Sequence, residues 1–228
     1  MKHVLGSIAV VVCASLARGA DVDELVKQLK NGDNDARRAA AKSLGEGGAQ
    51  SKAAVPALID ALKDRDTFVR RFAAQALGEI GPYAGSAVRA LTAALNDSRK
   101  EVQNAAAHSL GKVGTSGMET LIGVLGDHEK DASTRRQAID SLVKMGNVAH
   151  AAVPALTDMV KENTGKNKKK VAPEDLRIEA ATALGTLAKP GDKAAVETLR
   201  ALTEKKAKTP RGLKQAANMA LRNIQKNK

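Results

Sequence analysis

The chain has 228 residues and a formal net charge of +12, yet only three aromatic side chains, Phe68, Phe72 and Tyr83. With no tryptophan, Ala, Leu and Val must fill the interior, which favours close helix–helix packing and argues against a deep apolar ligand cavity. The one cysteine, Cys13, lies near the N-terminus, so nothing downstream supports thiol catalysis, disulfides or a Cys-ligated metal.

The first 20 residues read as an export signal. Lys2 and His3 form a short cationic start, and the apolar run from Val4 to Leu16 is too short to span a bilayer. Small residues at Ser15, Ala17 and Gly19 suit cleavage, so the mature chain is expected to begin between Arg18 and Asp21. The expectation is a periplasmic or extracellular protein with residues 21–228 as one repeat domain and no transmembrane segment in the mature chain.

From residue 22 onward two leucine landmarks recur. Leu44, Leu77 and Leu110 are 33 residues apart, and Leu142 follows 32 later. In step with them, Val22–Leu25, Val55–Leu58, Val88–Leu91, Met118–Leu121, Val153–Leu156 and Val196–Leu199 each place an apolar residue three before a leucine. Two landmarks per period predict two helices per unit, stacked as an all-α, right-handed α-solenoid of about six units.

Residues 54–85 form the clearest unit. Val55, Leu58, Ile59 and Leu62 lie on one helical face, and Pro56 suits the first turn. Asp66 or Thr67 can cap a second helix whose apolar face is Val69, Phe72, Ala73, Ala76, Leu77 and Ile80, and Gly81-Pro82 stops it. This pattern resembles the HEAT repeat, in the short form named after phycobilin lyases. The likeness is strongest over residues 54–81, good over 22–52 and 87–114, and looser over 118–146, 152–188 and 195–224.

The resemblance implies a ladder of Asp–Arg pairs between units. Seven residues before each second-helix leucine stand Arg37, Arg70, Gln103, Arg135, Arg177 and Lys214. Asp33, Asp66 and Asp131, four residues before three of these arginines, are the expected partners, and Gln103 predicts a third unit without the pair. Second helices line the concave side of HEAT-like stacks. That would turn Arg38, Lys42, Arg71, Gln75, Asn104, His108, Arg136 and Asp140 into one partner-binding groove. An ordinary solvated helix face would carry the same residue types.

The interval from Leu142 to Leu184 is 42 residues, and the excess maps to a polar loop at residues 163–175. Charge changes there too: residues 21–160 balance 18 Lys/Arg against 18 Asp/Glu, whereas residues 161–228 hold 17 against 7. Lys166, Lys168, Lys169 and Lys170, with Lys205, Lys206, Lys208 and Arg211, form two clusters in successive inter-helix loops, a candidate basic edge.

Catalytic readings find little support. Only His128-Glu129 has the His-Glu form that HEAT-like di-iron hydroxylases use several times over. The scarcity of aromatics argues against a pigment groove like that of the lyases, and against the base-stacking groove of HEAT-like DNA glycosylases. No phosphate loop, zinc spacing or serine nucleophile motif is present. The sequence therefore predicts a non-enzymatic scaffold, without cofactor, metal or specific nucleic acid, that binds another protein. The alternative is attachment to an anionic polymer or membrane surface through the basic edge.

Overall fold

A computed structural model describes residues 20–161, 172–204 and 207–226. The expected export segment lies outside these residues except for Ala20, and so do Lys166, Lys168, Lys169, Lys170, Lys205 and Lys206. The described residues hold α1 (Ala20–Asn31), α2 (Asn34–Glu46), α3 (Val55–Ala61), α4 (Thr67–Ile80), α5 (Val88–Ala94), α6 (Lys100–Val113), α7 (Thr115–Gly126), α8 (Ala132–Met145), α9 (Val153–Lys161), α10 (Glu174–Leu187), α11 (Lys193–Thr203) and α12 (Arg211–Lys226). Among them there is no strand. Consecutive helices pair as six hairpins, and each hairpin packs on the next, giving the all-α solenoid that the leucine spacing predicts.

The leucine landmarks are the core. Leu44, Leu58, Leu77, Leu91, Leu110, Leu121, Leu142, Leu156, Leu184 and Leu199 are all fully buried. Asp33, Asp66 and Asp131 cap α2, α4 and α8, each carboxylate accepting from first-turn N–H groups that would otherwise lack a partner. Between hairpins, Gly48–Ala54, Gly81–Ala87 and Gly146–Ala152 form 3-10 turns that the helical pattern did not predict. Each starts at a glycine with positive φ (52°, 67° and 61°), where a side chain would be strained.

The residue after each second-helix leucine explains why the Ala-Leu-Gly triplet recurs. A Cβ added to Gly78 would lie 2.9 Å from Ser109 Cα, and one at Gly185 2.8 Å from Ala220 Cα. At Gly45 it would meet Ala76 Cα at 3.1 Å, and at Gly111 it would meet Ser141 Cβ at 2.6 Å. Glycine on one second helix thus receives the small residue that precedes the leucine on the next, so the backbones approach closely. Ser109 and Ser141, both buried, donate across these contacts to the carbonyls of Ala74 and Ala107.

Consequently second helices pack on one another far more extensively than first helices do, which places α2, α4, α6, α8, α10 and α12 along the inner, concave side. One step is looser. The glycine position in α8 is Val143, and α8 meets α10 less extensively than other neighbouring second helices meet. The insertion precedes this step, and it is shorter than expected. Helix α10 begins at Glu174, so Glu174 and Asp175 belong to its first turn, where negative charge is favourable, and not to the loop predicted over 163–175.

Candidate partner-binding trough

The Asp–Arg ladder exists, but its carboxylates differ from those expected. Arg37 Nε and Nη2 donate to Asp64 at 2.8 and 3.0 Å, and Arg70 donates in the same two-pronged way to Asp97 at 2.7 and 3.0 Å. Each arginine therefore reaches into the next unit, 27 residues on, because the aspartate four residues before it is occupied capping its own helix. Gln103 lacks the charge, as predicted; its amide donates to the Asp97 carbonyl and accepts from Thr134 Oγ1. Arg135 and Arg177 are buried and donate to the Leu125 and Val160 carbonyls, near the C-terminal ends of α7 and α9. Asp131 is not Arg135's partner; it caps α8.

A second ladder lies one residue further along, on the concave side. Arg38 donates through Nε at 2.9 Å and through Nη2 to Asp66. The Asp66 carboxyl is held well below the usual carboxylate range, first by these bonds and, against an opposing effect of burial, by the N–H groups of Val69 and Phe68. Arg136 donates to Glu179 at 2.6 Å and to Asp175, bridging α8 to α10. Two of the predicted groove residues, Arg38 and Arg136, are thus engaged between units.

The others converge. Three shallow concavities of about 480, 480 and 450 Å³ run along α2, α4, α6 and α8, and His108 lines all three. Lys42 and Gln75 line the first with Glu46 and Glu79, while Arg71, Gln75, Asn104, Gln137 and Asp140 line the third. The acidic and basic side chains here partly neutralise one another: Lys112 meets Glu79 at 2.6 Å and Lys42 meets Glu46 at 3.7 Å. The floor between them is amide-rich. Gln75 makes no hydrogen bond to a described residue, and Asn104 uses only its oxygen, accepting from Ser133 and Thr134. His108 lies 3.4 Å from the Gln137 amide, and its pKa is lowered first by burial and then by Lys112 and Lys144. The imidazole is therefore neutral near pH 7, able to donate at one nitrogen and accept at the other.

Of the basic edge, Lys208 and Arg211 are described and exposed. His128 lies in the turn after α7, as predicted, and among the described residues no group of three His, Cys, Asp or Glu side chains could hold a metal ion. Nor, among those residues, is any helix long and apolar enough to cross a membrane. A pocket of about 330 Å³ on the first-helix side, between α9 and α11, is lined in part by His150, which lies 3.0 Å from Asp192.

No curated protein matches the sequence. Among solved structures, an archaeal HEAT-like repeats protein from Thermococcus onnurineus NA1 superposes with a TM-score of 0.59 at 15% identity, over 94% of this chain and 91% of its own. An engineered protein, target OR329 of the Northeast Structural Genomics Consortium, gives 0.55 at 25% identity, over 91% of this chain and 97% of that one. A designed armadillo repeat protein in complex with the peptide (KR)4 gives 0.54 at 16% identity, covering 89% and 99%. The family model for HEAT repeats matches residues 22–110 and 88–172, more than half of the chain. With its stacked hairpins, buried leucine landmarks and inter-unit arginine ladder, the chain belongs to the HEAT repeat family.

Proposed function

We propose that this protein is an exported, non-enzymatic scaffold that holds an extended stretch of a partner polypeptide in the trough of α2, α4, α6 and α8. The observation that carries this reading is the amide row. Gln75 and Asn104, with Gln137 and neutral His108, offer unused donors and acceptors along a shallow concave floor, which suits the alternating N–H and C=O groups of a peptide backbone. Neighbouring helices lie roughly 8–10 Å apart, so three steps from α2 to α8 span roughly 24–30 Å. An extended chain at ~3.3 Å per residue covers that distance with roughly 8 residues. The designed armadillo repeat protein that is similar in fold forms a complex with a peptide, which supports a peptide as the class of ligand for this trough. The export half of the proposal rests on the short apolar run after Lys2 and His3.

Site-specific photo-crosslinking tests the binding half. A photoreactive residue at Gln75 or Asn104 should capture a partner from the native host at both low and high salt, whereas one at Arg89 or Glu119, exposed on first helices, should not. Capture from Arg89 and Glu119 alone would reject the trough. Capture that disappears at high salt and depends on Lys208 and Arg211 would favour the charge-driven alternative.

A further inference from the structure

The second ladder lacks one carboxylate. Arg38 lies with its Cζ 5.0 Å from the centre of the Phe68 ring and donates to Asp66, which also caps α4. One unit on, Arg71 lies 5.2 Å from Phe68 and 4.7 Å from Phe72, so two ring faces hold its guanidinium. The position 33 residues after Asp66, however, is Arg99. It stands as the residue that precedes α6, with no side-chain cap, where Asp33, Asp66 and Asp131 cap their helices.

Two deficits follow from that one change. Arg71 forms no ion pair among the described residues, and its Nε is buried without a hydrogen-bond partner. The first turn of α6 likewise lacks the capping carboxylate that the first turns of α2, α4 and α8 receive. Glu101 lines the same concavity, but its ion pair is with Arg99 at 3.8 Å. An unpaired buried donor carries a desolvation cost that a bound acceptor would remove.

We infer that Arg71, with the uncapped start of α6, receives an aspartate or glutamate carboxylate from the partner polypeptide, which takes the role that Asp66 plays for Arg38. The geometry selects a carboxylate because the equivalent rung already binds one through Nε and Nη2. Arg99 places a positive side chain where units one, two and four carry Asp33, Asp66 and Asp131. The inference rests on the trough reading and specifies one contact within it: an acidic residue of the partner at the α4–α6 step.

The test uses nitrogen-15-labelled protein of residues 21–228 and a hexaglutamate peptide as the probe. The Arg71 Nε–H signal, identified by its loss in Arg71→Gln, should move on addition of the peptide. Arg99→Asp supplies the carboxylate from within the chain, at the Asp-x-Asp spacing that Asp64 and Asp66 already show. That variant should melt at a higher temperature, show the Arg71 signal already displaced, and bind the peptide at least about tenfold more weakly than wild type. Because it gains stability, its loss of binding cannot arise from unfolding. Equal binding by wild type, Arg71→Gln and Arg99→Asp would overturn the inference, as would inorganic phosphate moving the signal at lower concentration than the peptide. If crosslinking from Gln75 survives unchanged in Arg99→Asp, the trough stands and the acidic contact falls.

Discussion

Arginine illustrates how one residue type divides its work along a repeat. Arg37 and Arg70 hold Asp64 and Asp97 across unit boundaries with both partners largely removed from solvent; the side chains of Arg70 and Asp97 are 13% and 11% exposed. Truncating Arg70 to Ala leaves Asp97 largely buried and without its ion pair. The cost should be about 2 kcal/mol, between that of an exposed pair and that of a fully buried one, read as a lower urea midpoint. Burial, the largest single influence, works against the charged forms of Asp64 and Asp97, yet the hydrogen bonds and charges of Arg37 and Arg70, together with the N–H groups of Asp66 and Arg99, outweigh it and hold both carboxyls below their usual value. A carboxyl depressed on folding contributes stability that is complete above the unfolded value of about 3.9 and is lost as pH falls through the folded one. Wild type should therefore exceed Asp97→Asn in unfolding free energy at about pH 7, and the gap should close towards about pH 2. A gap that persists in acid would contradict the pairing. The arginines were legible in the sequence at their fixed distance from the leucine, but their partners were not. An aspartate four residues away is the obvious choice on a helix, and only the stacked fold shows that it is already capping that helix.

At the scale of the helix, the triplet containing Leu77 proved legible for a reason the sequence alone did not disclose. Periodicity marked Leu77 as core, and the structure adds that Gly78 is there for Ser109 on the neighbouring helix. Gly78→Ala would improve intrinsic helix propensity by about 1 kcal/mol in an isolated helix. Here the added methyl collides with Ser109, so a net loss of roughly 1–3 kcal/mol is expected, measured by thermal or urea unfolding. A stabilised Gly78→Ala variant would show that α4 and α6 are not held at close approach. The 3-10 turns escaped prediction because their seven residues carry no helical face. Their signature is a leading glycine that permits positive φ and a closing alanine that is buried, as at Gly81 and Ala87. In the trough, residue types at Gln75, Asn104 and His108 were predictable from register; the engagement of Arg38 and Arg136 by carboxylates of the next unit was not, since Asp66 and Glu179 lie 28 and 43 residues away.

For the whole molecule, stability in a solenoid is a sum over neighbouring units, so the weakest interface sets where it opens. That interface is α8 against α10, where Val143 stands in the glycine position and Arg136 clasps Asp175 and Glu179. Native-state hydrogen exchange should show α10 to α12 opening together at lower free energy than α2 to α6, and Arg136→Ala should widen the difference. Uniform protection from α2 to α12 would contradict a weak step there. The partner-binding trough lies on the N-terminal side of this step. Its most direct measurement is the affinity of the crosslinked partner for two double variants, Gln75→Glu with His108→Glu in the trough and Lys208→Glu with Arg211→Glu on the basic edge. The trough pair should weaken binding by at least about tenfold, ~1.4 kcal/mol, while the edge pair changes it little. Strong loss from the edge pair with the trough pair unaffected would contradict the account.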